Sequence, residues 1–162
     1  MQHDHETYAK AELDLHQFLT FRLSQVHARL NAQASALLGE RAGVTLAQWR
    51  LIALIGSRPG TKARDIEREA SLNKGQISRN LAALIRDGYV ASSLDEGDRR
   101  AQRLRLTAFG RSTFEDVLPL MRERQRRLRE AIGRDALPSF EAALDRLERA
   151  AEWRGEREGE RT

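Results

Sequence analysis

Asn73-Lys74-Gly75-Gln76-Ile77-Ser78-Arg79-Asn80 opens a helix whose apolar positions, Ile77, Leu81, Leu84 and Ile85, fall on one face of a 3.6-residue period. Asn73 stands where a side-chain oxygen can accept from the free N–H groups of the first turn. Gln76, three residues on, completes a capping box. Gly88 supplies the left-handed residue that ends the helix. Upstream, Thr61 reads as the cap of a shorter helix reaching about Ala70, with Ala63, Ile66 and Ala70 inward and Ser71-Leu72 as the connection. Two helices joined by so short a turn make a helix-turn-helix. Downstream, Tyr89-Val90-Ala91-Ser92-Ser93-Leu94 is strand-like, and Gln102-Arg103-Leu104-Arg105-Leu106 alternates leucine with arginine. Asp95-Glu96-Gly97-Asp98-Arg99-Arg100 joins them as the basic tip of a two-stranded wing.

The flanks read as helices. Residues 7–38 form one long helix with Leu19, Leu23, Val26, Leu30, Ala34 and Leu37 along one side, and Gly39 and Gly43 mark its end. A helix of that length is hard to bury within one small domain, so part of it is expected to pack on another subunit. Thr45-Leu46-Ala47-Gln48 has the capping-box form and starts a largely apolar helix that Gly56 stops. Thr107 caps a helix to about Ile132, kinked at Pro119 and ended by Gly133. A last helix from about Asp135 carries Leu137, Phe140, Leu144, Leu147 and Ala151 on a heptad seam. The whole is a mainly α chain with a small β wing: one domain over 1–162, a winged helix-turn-helix at 45–106, and dimerisation helices at 7–38 and 107–154.

Composition narrows the function. With no cysteine there is no disulfide, thiol nucleophile or thiolate metal site. The polar start Met1-Gln2-His3-Asp4-His5-Glu6 is not a signal peptide, and no apolar run approaches the length of a spanning helix, so a cytoplasmic protein without a membrane role is expected. His3 and His5 lack a third placed ligand, and no metal or cofactor is expected. Residues 58–106 hold eleven basic and seven acidic side chains, whereas both flanks are balanced, so the +4 excess falls wholly on the helix-turn-helix and wing. That is the footprint of a phosphate-binding element, although random imbalance in an arginine-rich chain would look alike. The run Arg122-Glu123-Arg124-Gln125-Arg126-Arg127-Leu128-Arg129 reads as a solvated face balanced by acids of the last helix.

Lys74, Gln76, Ser78, Arg79 and Asn80 occupy the exposed start of the second helix of the motif, where such proteins meet a major groove. Arginine pairs with guanine, and glutamine or asparagine with adenine, while Ser78 and Lys74 suit phosphate. Thr61 and Lys62 begin the preceding helix, whose free N–H groups could also take a phosphate. An ordinary solvated helix face is the competing reading.

The order of elements resembles the MarR family of winged-helix regulators over nearly the whole chain. Asp98-Arg99-Arg100 followed by Leu104-Arg105-Leu106-Thr107-Ala108-Phe109-Gly110 matches that family's wing pattern. Leu84-Ile85-Arg86-Asp87-Gly88-Tyr89-Val90 and Thr45-Leu46-Ala47-Gln48-Trp49 resemble its recognition-helix end and its second-helix entry. The resemblance implies a homodimer held by the first and last helices on a near-palindromic double-stranded DNA operator. It also implies repression relieved by a small phenolic or carboxylated effector. Arg100 would enter the minor groove, Asp98 would brace it, and Arg99 would touch phosphate. His16, Phe18, Phe21, Arg22, Trp49 and Arg50 come from the helices that wall the family's ligand pocket; core packing and helix-surface charge explain the same residues. Cysteine-based oxidant sensing is excluded. A winged-helix scaffold that binds protein instead of DNA is the alternative, opposed by the basic centre and the wing motif. No set of residues for catalysis is placed, so an enzyme is not expected.

Overall fold

The computed structural model describes residues 14–70, 72–94 and 102–151. They fall into two compact units divided after Phe114. The first begins with a 3-10 turn, Leu15–Gln17, whose His16 N–H is capped by the Asp14 carboxylate at 3.0 Å. Then come α1 (Leu19–Ala42), α2 (Leu46–Ser57), β1 (Thr61–Lys62), α3 (Ala63–Glu69), α4 (Lys74–Arg86), β2 (Val90–Leu94), β3 (Gln102–Leu106) and the first turns of α5 (Ala108–Ile132). The rest of α5 and α6 (Leu137–Ala151) make the second unit.

Several expectations need correction. The described part of the first helix is not continuous: Phe18 has extended backbone and separates the 3-10 turn from α1. Residues 7–13 lie outside the described residues. Gly39 sits inside α1, and Gly43, at φ +62°, ends it. Gly56 does not stop α2, which runs on to Ser57. Thr61 is not a helix cap; with Lys62 it forms β1, paired antiparallel to β3 (Thr61 with Leu104, Lys62 with Arg103). The sheet therefore has three strands, in the order β1-β3-β2. Gly60 N–H donates to the Leu104 carbonyl at 3.1 Å and extends that pairing by one residue. Lys62 then stands at the start of α3 without a side-chain cap bond. Ile85 is 39% exposed instead of inward. The last helix begins at Leu137, two residues later than expected.

Other expectations hold. Both capping boxes form, Thr45 with Gln48 and Asn73 with Gln76. Gly88 and Gly133 adopt φ +81° and +90° and end α4 and α5. Thr107 caps α5: its Oγ1 accepts from Gly110 N–H at 3.0 Å and donates to the Gly88 carbonyl at 2.5 Å. Pro119 lies within α5.

The core of the first unit is built where α2 packs on α4 and β3. Leu38, Leu51, Ile52, Ile55, Ile66, Leu84 and Leu104 are its fully enclosed members. Trp49 stacks on Phe114 with ring centroids 6.0 Å apart. Arg111 lies 5.5 Å from the centre of the Phe114 ring while donating to the Gly56 carbonyl at 3.2 Å. The expected apolar side of the first helix is divided. Ala34 and Leu38 are buried, whereas Leu19, Leu23 and Val26 are exposed. In the second unit Arg129 reaches from α5 to Glu141 of α6 at 3.0 Å, as the charge balance anticipated. Arg126 instead pairs within α5 to Glu123 and Glu130, and Arg127 to Glu123.

Candidate nucleic-acid interface

The first turn of α4 is built by its own cap. Asn73 Oδ1 accepts from Gln76 N–H at 2.8 Å, and Gln76 Oε1 accepts from Asn73 N–H at 3.1 Å. These bonds satisfy two donors that the helix geometry leaves free and set the direction in which the helix leaves the preceding turn. Ile77, Leu81 and Leu84 bury one side. Lys74, Gly75, Gln76, Ser78 and Arg79 are exposed on the other, and no acidic residue occurs in α4.

The exposed candidates differ in availability. Gln76 has its carbonyl oxygen committed to the cap, so a bidentate contact to adenine would break that bond. Asn80 is half-buried and donates from Nδ2 to the Gln76 carbonyl at 2.8 Å, one turn back. Arg79 bends toward Gly75; a methyl group at 75 would lie 3.3 Å from its Nη1. Lys74, Ser78 and Arg79 are thus the side chains this helix presents without prior commitment among the described residues. Thr61 and Lys62 are half-buried in β1, on the strand leading into α3. Asp98, Arg99 and Arg100 lie outside the described residues.

The strand register adds two residues that the sequence reading left unassigned. Antiparallel partners share a face. Arg103 therefore lies beside Lys62 and Ser93, and Arg105 beside Ala91. Leu104, on the opposite face, is fully buried. The signal was the strict leucine–arginine alternation of β3; what was missing was the third strand, which brings Lys62 alongside.

The residues expected to wall a ligand pocket are only partly brought together. Trp49 and Arg50 line a cleft of about 350 Å³ between α2 and α3, with Ala53, Leu54, Glu69 and Ala70. His16, Phe18 and Arg22 do not line it. His16 instead meets Phe21 edge to face at 5.2 Å, and Phe18 and Arg22 are exposed. Glu69 was missed because it becomes a wall only when α3 folds back on α2. Its carboxylate is gripped by Arg58 through two hydrogen bonds, one at 2.8 Å, and that grip holds its pKa below the ordinary carboxylate value. It therefore stays anionic and bound to Arg58, which leaves Arg50 as the cation facing the cleft. Among the described residues no group of three or more metal-ligating side chains converges, and no helix is long and apolar enough to cross a membrane.

Comparison with known proteins places this architecture. A family model described as "MarR family" matches residues 42–101, from the end of α1 to the wing. The transcriptional activatory protein BadR of Rhodopseudomonas palustris is 31% identical over 111 residues, which cover 66% of this chain and 62% of that protein. The chain spans about three fifths of the length of the first curated relatives it matches. Among solved structures, the S. aureus MepR–DNA complex superposes with a TM-score of 0.77 at 16% identity, over 83% of this chain and 99% of MepR. The Streptomyces coelicolor regulator PcaV, solved with its natural ligand, gives 0.71 at 21% identity, over 88% of this chain and 99% of PcaV. At such identities these two likenesses speak to the fold.

Proposed function

We propose that this chain is a winged-helix regulator of the MarR family, a homodimeric transcriptional repressor that reads a palindromic DNA operator and leaves it when a small aromatic or carboxylated molecule binds. The observation that carries the DNA reading is the exposed first half of α4: capped, free of acids, and presenting Lys74, Ser78 and Arg79. Lys74 and Ser78 lie one turn apart and suit consecutive phosphates, while Arg79 has the fork geometry for guanine O6 and N7. MepR's structure in complex with DNA supports the same use of the same fold. Arg100, Arg99 and Asp98 complete the proposal as minor-groove contact, phosphate contact and brace.

Effector release rests on the cleft beside Trp49. Its apolar wall and the Arg50 guanidinium suit an aromatic ring bearing a carboxylate, and PcaV's complex with its natural ligand supports ligand control in this fold. Repression is the sign we propose, even though the relative BadR is described as an activator.

Selection of bound duplexes from a random pool tests the reading. The expected product is an inverted repeat whose half-sites lie about one helical turn apart. Arg79→Ala should then weaken binding to that repeat by roughly 1–3 kcal/mol and relax the preference at one position. No enrichment of any sequence at moderate salt would overturn the proposal. For the effector, a panel of aromatic carboxylates and phenols should contain members that raise the melting temperature and weaken DNA binding in the wild-type chain but not in Arg50→Ala.

A further inference from the structure

Gly75 is the second residue of α4, on the exposed side that also presents Lys74, Ser78 and Arg79. Glycine is a poor helix former, and the backbone does not ask for it here. The left-handed glycines are Gly43, Gly60, Gly88 and Gly133, and Gly75 is not among them. Among the described residues, a methyl group at 75 would meet two side-chain atoms, Arg79 Nη1 at 3.3 Å and Asn73 Oδ1 at 3.5 Å. The second is ordinary contact, so the cap would keep its bond from Gln76 N–H. The first is too close, and the guanidinium would have to shift. The direction of the crowding follows from helix geometry. Side chains lean toward the helix N-terminus, over the residue four positions back, so Arg79 lies over residue 75. With glycine there, the fork rests against the first turn instead of on a side chain. No charge holds it in place: α4 contains no acid, and Arg79 has no hydrogen-bond or ion-pair partner among the described residues. Its seat is therefore set by shape, and the shape is a missing β-carbon.

We propose that Gly75 is a positioning residue that determines specificity: by lacking a β-carbon it seats the Arg79 guanidinium against the first turn of α4, at the level from which it reads guanine. The inference rests on the DNA-binding reading above and deepens it. Paired hydrogen bonds from one fork to O6 and N7 tolerate little displacement, so a side chain at 75 that lifts the fork weakens both together. Phosphate contacts by Lys74 and Ser78 do not pass through residue 75. The effect therefore falls on discrimination between sequences and leaves general affinity for duplex in place. The glycine also gives up some helix stability at an exposed position, and the seating of Arg79 is what that loss obtains.

The test measures binding of the full chain by fluorescence anisotropy, at one salt concentration, to a selected operator and to a mixed-sequence duplex of the same length. It compares the wild type, Gly75→Ala, Arg79→Ala and the Gly75→Ala/Arg79→Ala double variant. Gly75→Ala should lower the operator-to-mixed ratio of affinities about tenfold per bound chain, within what an arginine–guanine pair supplies. Affinity for the mixed duplex should change by less than about twofold. In the Arg79→Ala background the same methyl should move the ratio by less than about twofold, because no guanidinium is left to displace. Gly75→Ser carries the same β-carbon and should repeat the result. Thermal melts should place Gly75→Ala at or above the wild type, since alanine is the better helix former, which separates the effect from a folding defect. An unchanged ratio in Gly75→Ala overturns the proposal and leaves the DNA reading standing. An equal fall with and without Arg79 also overturns it, in favour of direct approach of DNA to the helix at residue 75. A wild type that prefers no duplex over the mixed one overturns the DNA reading and this proposal together.

Discussion

A methyl group on Gly110 would stand 2.0 Å from the Tyr89 carbonyl oxygen, inside any real contact distance. That oxygen also accepts from Thr107 N–H at 3.0 Å, so the start of β2 and the first turn of α5 are joined with no room between them. This is a physical reason for the run Leu106-Thr107-Ala108-Phe109-Gly110: Thr107 caps the helix and ties it to Gly88, and Gly110 lets it sit down on the strand. Gly39 is the contrast, since it lies inside α1 with nothing within 4 Å of its missing methyl. In a helix interior, alanine is better than glycine by roughly 1 kcal/mol. Gly39→Ala should therefore raise the melting temperature by roughly 2–4 °C. Gly110→Ala should lower it, because overpacking against backbone costs about 1–3 kcal/mol. Calorimetric melts of the two variants check this pair. A Gly110→Ala protein melting at or above the wild type would mean that α5 is not seated on Tyr89 as described.

At the scale of the element, α5 is held by charge along its exposed side. Glu123 accepts hydrogen bonds from Arg126 and Arg127, which hold its carboxyl down to about 2 from 4.5. The folded pKa lies below the unfolded one, so the stabilisation is complete above about pH 4.5 and is lost as pH falls through about 2. Glu123→Gln should melt a little below the wild type at pH 7, and the two should converge at pH 2. Thermal midpoints at pH 7, 4 and 2 measure it, and a gap that is unchanged at pH 2 would show that the arginine clasp is not its source. Such pairs, like the helix caps, are legible in a sequence because their partners sit three or four residues apart. Asn73 with Gln76 and Thr45 with Gln48 were readable for that reason. β1 was not, since two residues have no period and their partner strand lies some forty positions on. The break at Phe18 carried no glycine or proline to mark it. Gly56 resembled a stop, yet it serves close packing, its missing methyl 2.9 Å from Phe114. The site followed the same rule. The face of α4 could be read from its own residues, whereas Glu69 and the company of Arg103 depended on distant segments meeting.

For the molecule as a whole, association turns on what covers its apolar faces. Leu19, Leu23 and Val26 on α1 are exposed, and on α6 Phe140 and Leu144 are 43% and 37% exposed along the expected heptad seam. Faces of this kind on a folded chain mark association surfaces. A second copy in a two-fold, self-complementary interface is the occupant we propose. Dimerisation would also turn the second half-site contact into an intramolecular event, worth a factor of roughly 10²–10⁴ in affinity. Sedimentation should therefore give the wild type twice the chain mass. The double variant Phe140→Asp/Leu144→Asp should sediment at the chain mass while keeping its helical circular dichroism, because both side chains already face solvent within the chain. Its affinity for an inverted repeat should fall to that of a single half-site. A wild type that sediments at the chain mass would refute the dimer. A charged variant that remains dimeric would place the interface elsewhere than on the seam of α6.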